Sequence, residues 1–333
     1  MSRLKAAVIG VGSMGGRHAR IYAELPETEL VAVVGATATN CTRVSAEYGG
    51  RPYTELARML SVEQPDLVSV AVPTTAHLEV ARMALQAGCH VLVEKPMATD
   101  LTEAQALIDA AEAAQRKLMV GHIVRFDPAV RALKAHIAAG ELGRIHQVVC
   151  RRIGPFPYRV RDVGVVLDLA PHDLDLMRHL LGEEPSSLYA EVSQRVHDER
   201  VDLLAALLRF PSDVVGILEL NWLTPTRIRD VTVLGDRGMF HADCIRGRLT
   251  FFANADADGE ADSAQGCYRR VTEGDVVNLP VVQEEPIRAE LAAFVAAVVD
   301  DTDVPVSGAD GLAALALALA LGRSGAEHGP VQL

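Results

Sequence analysis

Gly10-Val11-Gly12-Ser13-Met14-Gly15 follows the apolar run 4–9 and opens a helical pattern over 15–24. With a strand before it and a helix after it, a G-x-G-x-x-G turn reads as a dinucleotide-binding turn. Each glycine has its own reason: a tight turn at Gly10, close backbone approach to a pyrophosphate at Gly12, and close helix-to-strand packing at Gly15. The helix N-terminus then faces the diphosphate with free N–H groups and a positive dipole end, so Ser13 and Met14 are expected beside the cofactor with the three glycines.

Working outward, β-branched runs recur at 30–34, 66–72, 90–93 and 118–124. Continuous apolar strands of this kind belong to a parallel sheet covered on both faces. Helical patterns lie between them at 76–87 and 102–115, the latter preceded by Thr99 and Asp100 as candidate caps. Alternating strand and helix predicts a doubly wound α/β domain of the Rossmann type. After Pro128 the pattern changes. A helix near 129–139 leads into a run at 145–153, a Pro- and Arg-rich loop and a helix over 165–181. Strand patterns then follow in succession at 188–196, 203–210, 214–223, 229–234, 238–242 and 249–253, predicting an α+β domain with a large, mostly antiparallel, open-faced sheet. The expected domains are 1–124 and 125–333, with the helical patterns 290–299 and 311–321 packing back on the body.

The chain has 333 residues, 49% of them apolar, enough for two cores. Its net charge of -12 would repel a nucleic-acid polymer, so no nucleic-acid partner is expected. The five cysteines are scattered without a C-x-x-C pair and read as thiols of a reducing cytoplasm. No signal peptide is visible, and the apolar stretch 312–321 is about half of the ~20 residues a membrane span needs. It is expected to be a buried helix, with no membrane partner.

A carboxylate about 20 residues past the glycine turn normally grips the adenosine ribose of NAD. Here that place holds Gly35, followed by Ala36-Thr37-Ala38-Thr39-Asn40. The usual bar against the 2′-phosphate of NADP is therefore missing. Thr37 is expected along the cofactor, and Arg43 either reaches such a phosphate or is a solvated helix residue.

Two constellations carry chemistry. Glu94-Lys95-Pro96 ends the run 90–93, at the carboxyl end of a strand, where open α/β sheets hold ligands. Lys95 there suits polarisation of a hydroxyl, unless the tripeptide is only a surface turn. In Asp168-Leu169-Ala170-Pro171-His172-Asp173-Leu174-Asp175, Asp168 and His172 lie one helical turn apart, on a stripe with Asp175 and His179. Leu167, Leu174, Met177 and Leu181 supply the apolar face. A neutral His172 accepts a hydroxyl proton and Asp168 orients it. A zinc site or a solvated salt-bridged face are the alternatives, and His179 reads as the polar edge.

These motifs together resemble the Gfo/Idh/MocA family of glucose–fructose oxidoreductase and inositol dehydrogenase. The likeness covers nearly the whole chain: the glycine turn, Ala71-Val72-Pro73-Thr74-Thr75-Ala76-His77, Glu94-Lys95-Pro96, Gly121-His122-Ile123-Val124-Arg125-Phe126 and the D-x-x-x-H pair. The resemblance implies that Lys95 and His172 act on the reacting hydroxyl, that Asp168 holds substrate or His172, and that Pro73, Thr74, His77, Glu94 and His122 lie along the cofactor. Gly35, where many members carry Asp, is the departure, and NAD is favoured over NADP on family grounds alone. Arg152-Ile153-Gly154-Pro155-Phe156-Pro157, Arg161-Asp162-Val163-Gly164-Val165-Val166 and Asn221-Trp222-Leu223-Thr224-Pro225-Thr226 are similar to the UDP-N-acetylglucosamine 3-dehydrogenase branch. Arg151, Arg152, Arg159 and Arg161 crowd a stretch without acids, and guanidinium groups suit bidentate phosphate binding. Arg152, Arg159 and Arg161 are the candidate diphosphate contacts; pairing across strands or at a subunit contact is the other reading.

The expected function is an NAD(P)-dependent dehydrogenase acting on a secondary hydroxyl, C3 of a nucleotide-hexose. The alternatives are a dehydrogenase of a free cyclitol, sugar phosphate or aminoglycoside-type sugar, and a non-catalytic dinucleotide sensor. An apolar outer sheet face, with Leu203, Leu207, Val215 and Ile217 and a polar rim at Glu219, implies a homodimer or homotetramer.

Overall fold

The computed structural model describes residues 3–156, 164–196, 200–255 and 273–333. The chain divides into two units, Met1–Phe126 with Glu285–Ala318, and Asp127–Glu284 with Leu319–Leu333.

The first unit is built on strands β1 (Leu4–Ile9), β2 (Thr28–Val34), β3 (Arg51–Tyr53), β4 (Leu67–Val70), β5 (His90–Glu94) and β6 (Leu118–Gly121). They form one sheet in the order β3-β2-β1-β4-β5-β6, all pairs parallel. Ala6, Ala7, Val8, Val33, Val68, Val70, Val91, Leu92 and Val93 are fully enclosed, as continuous apolar strands covered on both faces must be. Helices α1 (Ser13–Glu24), α2 (Ala38–Tyr48), α3 (Leu56–Glu63), α4 (His77–Gln86) and α5 (Leu101–Ala114) connect the strands. Asp100 caps α5 by accepting from the Glu103 amide at 2.9 Å, while Glu103 accepts in return from the Thr99 amide at 3.1 Å. Strand order reverses between β1 and β4, and the carboxyl ends there form the ligand edge of such a sheet. Helix α8 (Pro286–Val299) belongs to this unit and packs on α1.

In the second unit, α6 (Pro128–Ala138) precedes β7 (Ile145–Pro155), and α7 (Val165–Leu181) precedes β8 (Ser187–Ser193), β9 (Leu203–Arg209), β10 (Val215–Asn221), β11 (Leu223–Gly235), β12 (Gly238–Asp243), β13 (Arg248–Asn254) and β14 (Glu273–Leu279). With β15 (Val331–Gln332) these make a nine-stranded sheet, order β14-β13-β12-β11-β7-β10-β9-β8-β15. Every pair is antiparallel except β7–β10. Along β9, Leu204, Ala206 and Leu208 are buried and alternate with exposed residues, the period of a sheet with one face in the core.

Helix α9 (Gly308–Glu327) is long and apolar enough to cross a membrane by length and composition. Its Ala314, Leu315, Ala318, Ala320 and Leu321 are instead enclosed in the protein, as expected for 312–321. The sequence pattern passes over α2, β3, α3 and β14, which are short, polar or weakly periodic.

Candidate active site

The glycine turn is built for close approach. Gly10 has φ +99°, and a Cβ there would stand 2.4 Å from the Ala71 carbonyl at the end of β4. A Cβ on Gly15 would collide with the Gly10 carbonyl oxygen at 1.6 Å, so α1 sits directly on the turn. A Cβ on Gly12 would meet nothing within 4 Å, which leaves open space where a pyrophosphate approaches the backbone. The N-terminus of α1 has no side-chain cap and no acid in its first turn, leaving the amides about Ser13 and Met14 to an anion. These residues fit a bound dinucleotide.

At the second strand, a Cβ on Gly35 would lie 2.5 Å from Val11 Cγ2 and 3.1 Å from Cys41 Sγ. Thr37 is the exposed N-cap of α2. Arg43, one of the cofactor candidates, is exposed on α2 and lies 3.7 Å from Glu47 one turn on. That is the solvated-helix alternative of its two readings.

Beyond β4, Pro73 is exposed and Thr74 begins a short 3-10 turn that runs into α4. His77 is enclosed, its Nε2 2.9 Å from the Val72 carbonyl and its Nδ1 3.0 Å from the Pro96 carbonyl. Burial lowers its pKa while the two carbonyls oppose that shift, and a neutral ring donates to one of them only. Glu94 ends β5. Its Oε1 lies 3.1 Å from His18 Nε2, and its Oε2 accepts from the Lys95 amide at 3.3 Å. Burial pushes the Glu94 carboxyl up, but the hydrogen bond and charge of His18, with Lys95, outweigh that and hold it below the usual range. Glu94 thus braces the backbone that presents Lys95. His122, also a cofactor candidate, is buried just past β6. Sequence reasoning missed His18; its place three residues after Gly15 on an otherwise inward face of α1 was the available signal.

In the second unit, Asp168 lies in the first turn of α7 and His172 one turn later, both half-buried. Asp175 is enclosed, with Arg178 3.7 Å away, and His179 offers its carbonyl to Lys134 Nζ at 2.7 Å. Asp173 is also enclosed and is gripped by Arg152 through Nε and Nη2, both at 2.8 Å. Arg152, a substrate candidate, is therefore held in a bidentate pair inside the unit, the structural alternative for the arginine cluster. Arg151 lies on the opposite face of β7, with Nε donating to Asp230 at 2.9 Å. Arg159 and Arg161 lie outside the described residues. Among the described residues, no group of three His, Cys, Asp or Glu could hold a metal ion.

Two family models match: the oxidoreductase family with an NAD-binding Rossmann fold over residues 4–122, and the GFO/IDH/MocA C-terminal domain over residues 130–241. The chain is 30% identical over 327 residues to UDP-N-acetylglucosamine 3-dehydrogenase of Acidithiobacillus ferrooxidans, covering 96% of each. It is 28% identical to inositol 2-dehydrogenase of Rhizobium meliloti, covering 99% of each. The solved structure of the Acidithiobacillus ferrooxidans enzyme superposes with TM-score 0.86 over 97% of this chain and 98% of that one, at 28% identity. With a glycine turn fitted to a dinucleotide, a lysine braced at the end of β5 and an acid–histidine pair on α7, the chain belongs to the Gfo/Idh/MocA family and is an oxidoreductase acting on the CH–OH groups of sugars or cyclitols.

Proposed function

We propose that this chain oxidises a secondary hydroxyl of a nucleotide-hexose, at C3 of a substrate such as UDP-N-acetylglucosamine or UDP-glucose, with NAD favoured over NADP. The observation that carries the acid–base reading is the Asp168/His172 pair, one turn apart on α7 and turned away from its enclosed face. The substrate loses a proton from oxygen and a hydride from the same carbon, leaving a ketone. His172 takes the proton, Asp168 orients the imidazole, and the Lys95 ammonium stabilises the alkoxide that develops. A bound nicotinamide supplies the hydride acceptor. The nucleotide-sugar assignment rests on the relative that shares 30% identity over nearly the full length.

A cyclitol or other free sugar is the second reading. The 28% identity to an inositol 2-dehydrogenase favours it, as does the commitment of Arg152 to Asp173. Initial rates of NAD⁺ and NADP⁺ reduction with UDP-N-acetylglucosamine, UDP-glucose, myo-inositol and glucose 6-phosphate separate the two. Turnover of myo-inositol with inert UDP-sugars would overturn the nucleotide-sugar reading.

A further inference from the structure

Arg229 on β11 stands opposite Arg152 on β7 in their antiparallel ladder. Residues paired in register share a face of the sheet, so Arg229 lies on the face where Asp173 of α7 holds Arg152. Two residues earlier, Arg227 has its Cγ 3.2 Å from the point where Gly154 would carry a Cβ, so the bare backbone of β7 leaves room for it. Arg152, Arg227 and Arg229 thus share one face of the sheet, and both oxygens of Asp173 there already accept from Arg152.

Among the described residues, neither the Arg227 nor the Arg229 guanidinium makes a hydrogen bond or ion pair, and Arg229 is tied only through its backbone, its carbonyl accepting from the Cys244 amide at 2.9 Å. Other arginines of this unit have an acid: Arg151 has Asp230, Arg209 has Asp213 and Arg246 has Asp243. Both side chains reach solvent; partial burial, then repulsion from Arg152 and Arg227, lowers the pKa of Arg229, with Asp173 only partly opposing them. Like charges side by side on a sheet are destabilising, and in a chain of net charge -12 an acidic neighbour would be the simple remedy. Among the described residues no acid pairs with Arg227 or Arg229, and Asp173 is already held by Arg152, which leaves the remaining compensation to an anion that arrives from outside. Asp173 is also the residue after His172, so the pair lies on the same sheet face as the helix that carries the acid–base residues.

We propose that Arg227 and Arg229 form a seat for the phosphate or diphosphate group of the substrate. The seat rests on the dehydrogenase reading above only for which hydroxyl is oxidised, since the anion site itself needs no turnover. Guanidinium forks match phosphate oxygens bidentately. A remote anion held there positions the sugar, so its loss lowers kcat as well as raising KM.

The test is calorimetric titration of UDP, inorganic pyrophosphate and inorganic phosphate into enzyme saturated with NADH, so that the dinucleotide site is already filled. Wild type is compared with the Arg227→Ser/Arg229→Ser and Arg227→Lys/Arg229→Lys double variants, with circular dichroism to check folding. We expect Kd to weaken tenfold or more in the serine variant, partial retention in the lysine variant, and weaker wild-type binding at high salt. Tight UDP and pyrophosphate binding identifies a nucleotide diphosphate as the source. Phosphate binding alone identifies a sugar monophosphate. No anion binding to the wild type, or equal binding to wild type and the folded serine variant, overturns the seat. An enzyme that turns over no sugar would sink the dehydrogenase reading while leaving these titrations intact, whereas an enzyme that oxidises a sugar but binds none of these anions would sink the seat alone.

Discussion

Gly35 stands where a ribose-binding carboxylate is expected, with Val11 and Cys41 pressed against the space its side chain would need. The missing acid therefore has a packing reason as well as a cofactor reason. Gly35→Asp is expected to destabilise the first unit by about 1–3 kcal/mol, because a stiff valine must move. Ala36→Asp, at an exposed neighbouring position, instead repels the 2′-phosphate and shifts the kcat/KM ratio toward NAD. Thermal unfolding of both variants and paired NAD⁺/NADP⁺ kinetics check this; a stable Gly35→Asp would show that Val11 yields freely. At the chemical residues, Lys95→Ala and His172→Ala should each lower kcat by roughly 10²-fold or more while NADH binding, followed by fluorescence, stays near normal. Near-normal turnover in either removes that residue from the acid–base role.

Between elements, α1 and α8 enclose a carboxyl that the dehydrogenase chemistry does not use. Glu290 on α8 is fully buried and neither oxygen has a hydrogen-bond partner. Burial first, and the Glu94 charge second, push its pKa well above the ordinary carboxylate range. The folded state therefore keeps a proton that the unfolded chain releases above about pH 4.3. Since the native state binds the extra proton, stability falls as pH rises through that window, by about 1.4 kcal/mol per unit. Glu290→Gln keeps the shape and abolishes the titration, so its unfolding free energy should exceed that of the wild type at pH 8 and converge with it near pH 4. Denaturant unfolding at several pH values measures the slope. Identical slopes in the two proteins would mean that Glu290 finds a compensating partner in solution.

For the whole chain, the outer face of the nine-stranded sheet is the surface on which an assembly is expected. Leu207 is 51% exposed, Phe252 37% and Val276 59%, while the Arg151–Asp230 pair with His241 interrupts the apolar surface. Exposed apolar area of this kind is covered by a partner, and we expect a homodimer or homotetramer that Leu207→Glu with Phe252→Glu converts to monomer. Sedimentation at micromolar concentration decides it; a monomeric wild type of 35.7 kDa would refute the assembly. The sequence by itself determined the parallel-then-antiparallel plan, the bounds of α7 and β1, the tight turn at Gly10 and the close packing at Gly15, because periods of 2 and 3.6 and a local turn are written in neighbouring residues. Only the tertiary structure decided that Arg152 serves Asp173, 21 residues away, that His18 braces Glu94, 76 residues away, and that Arg227 and Arg229 pair with no acid among the described residues. It likewise set the extent, Glu285–Ala318, of the C-terminal segment that belongs to the first unit. Those outcomes depend on strand order, register and which helix lies over which strand, and no local pattern in the chain carries that information.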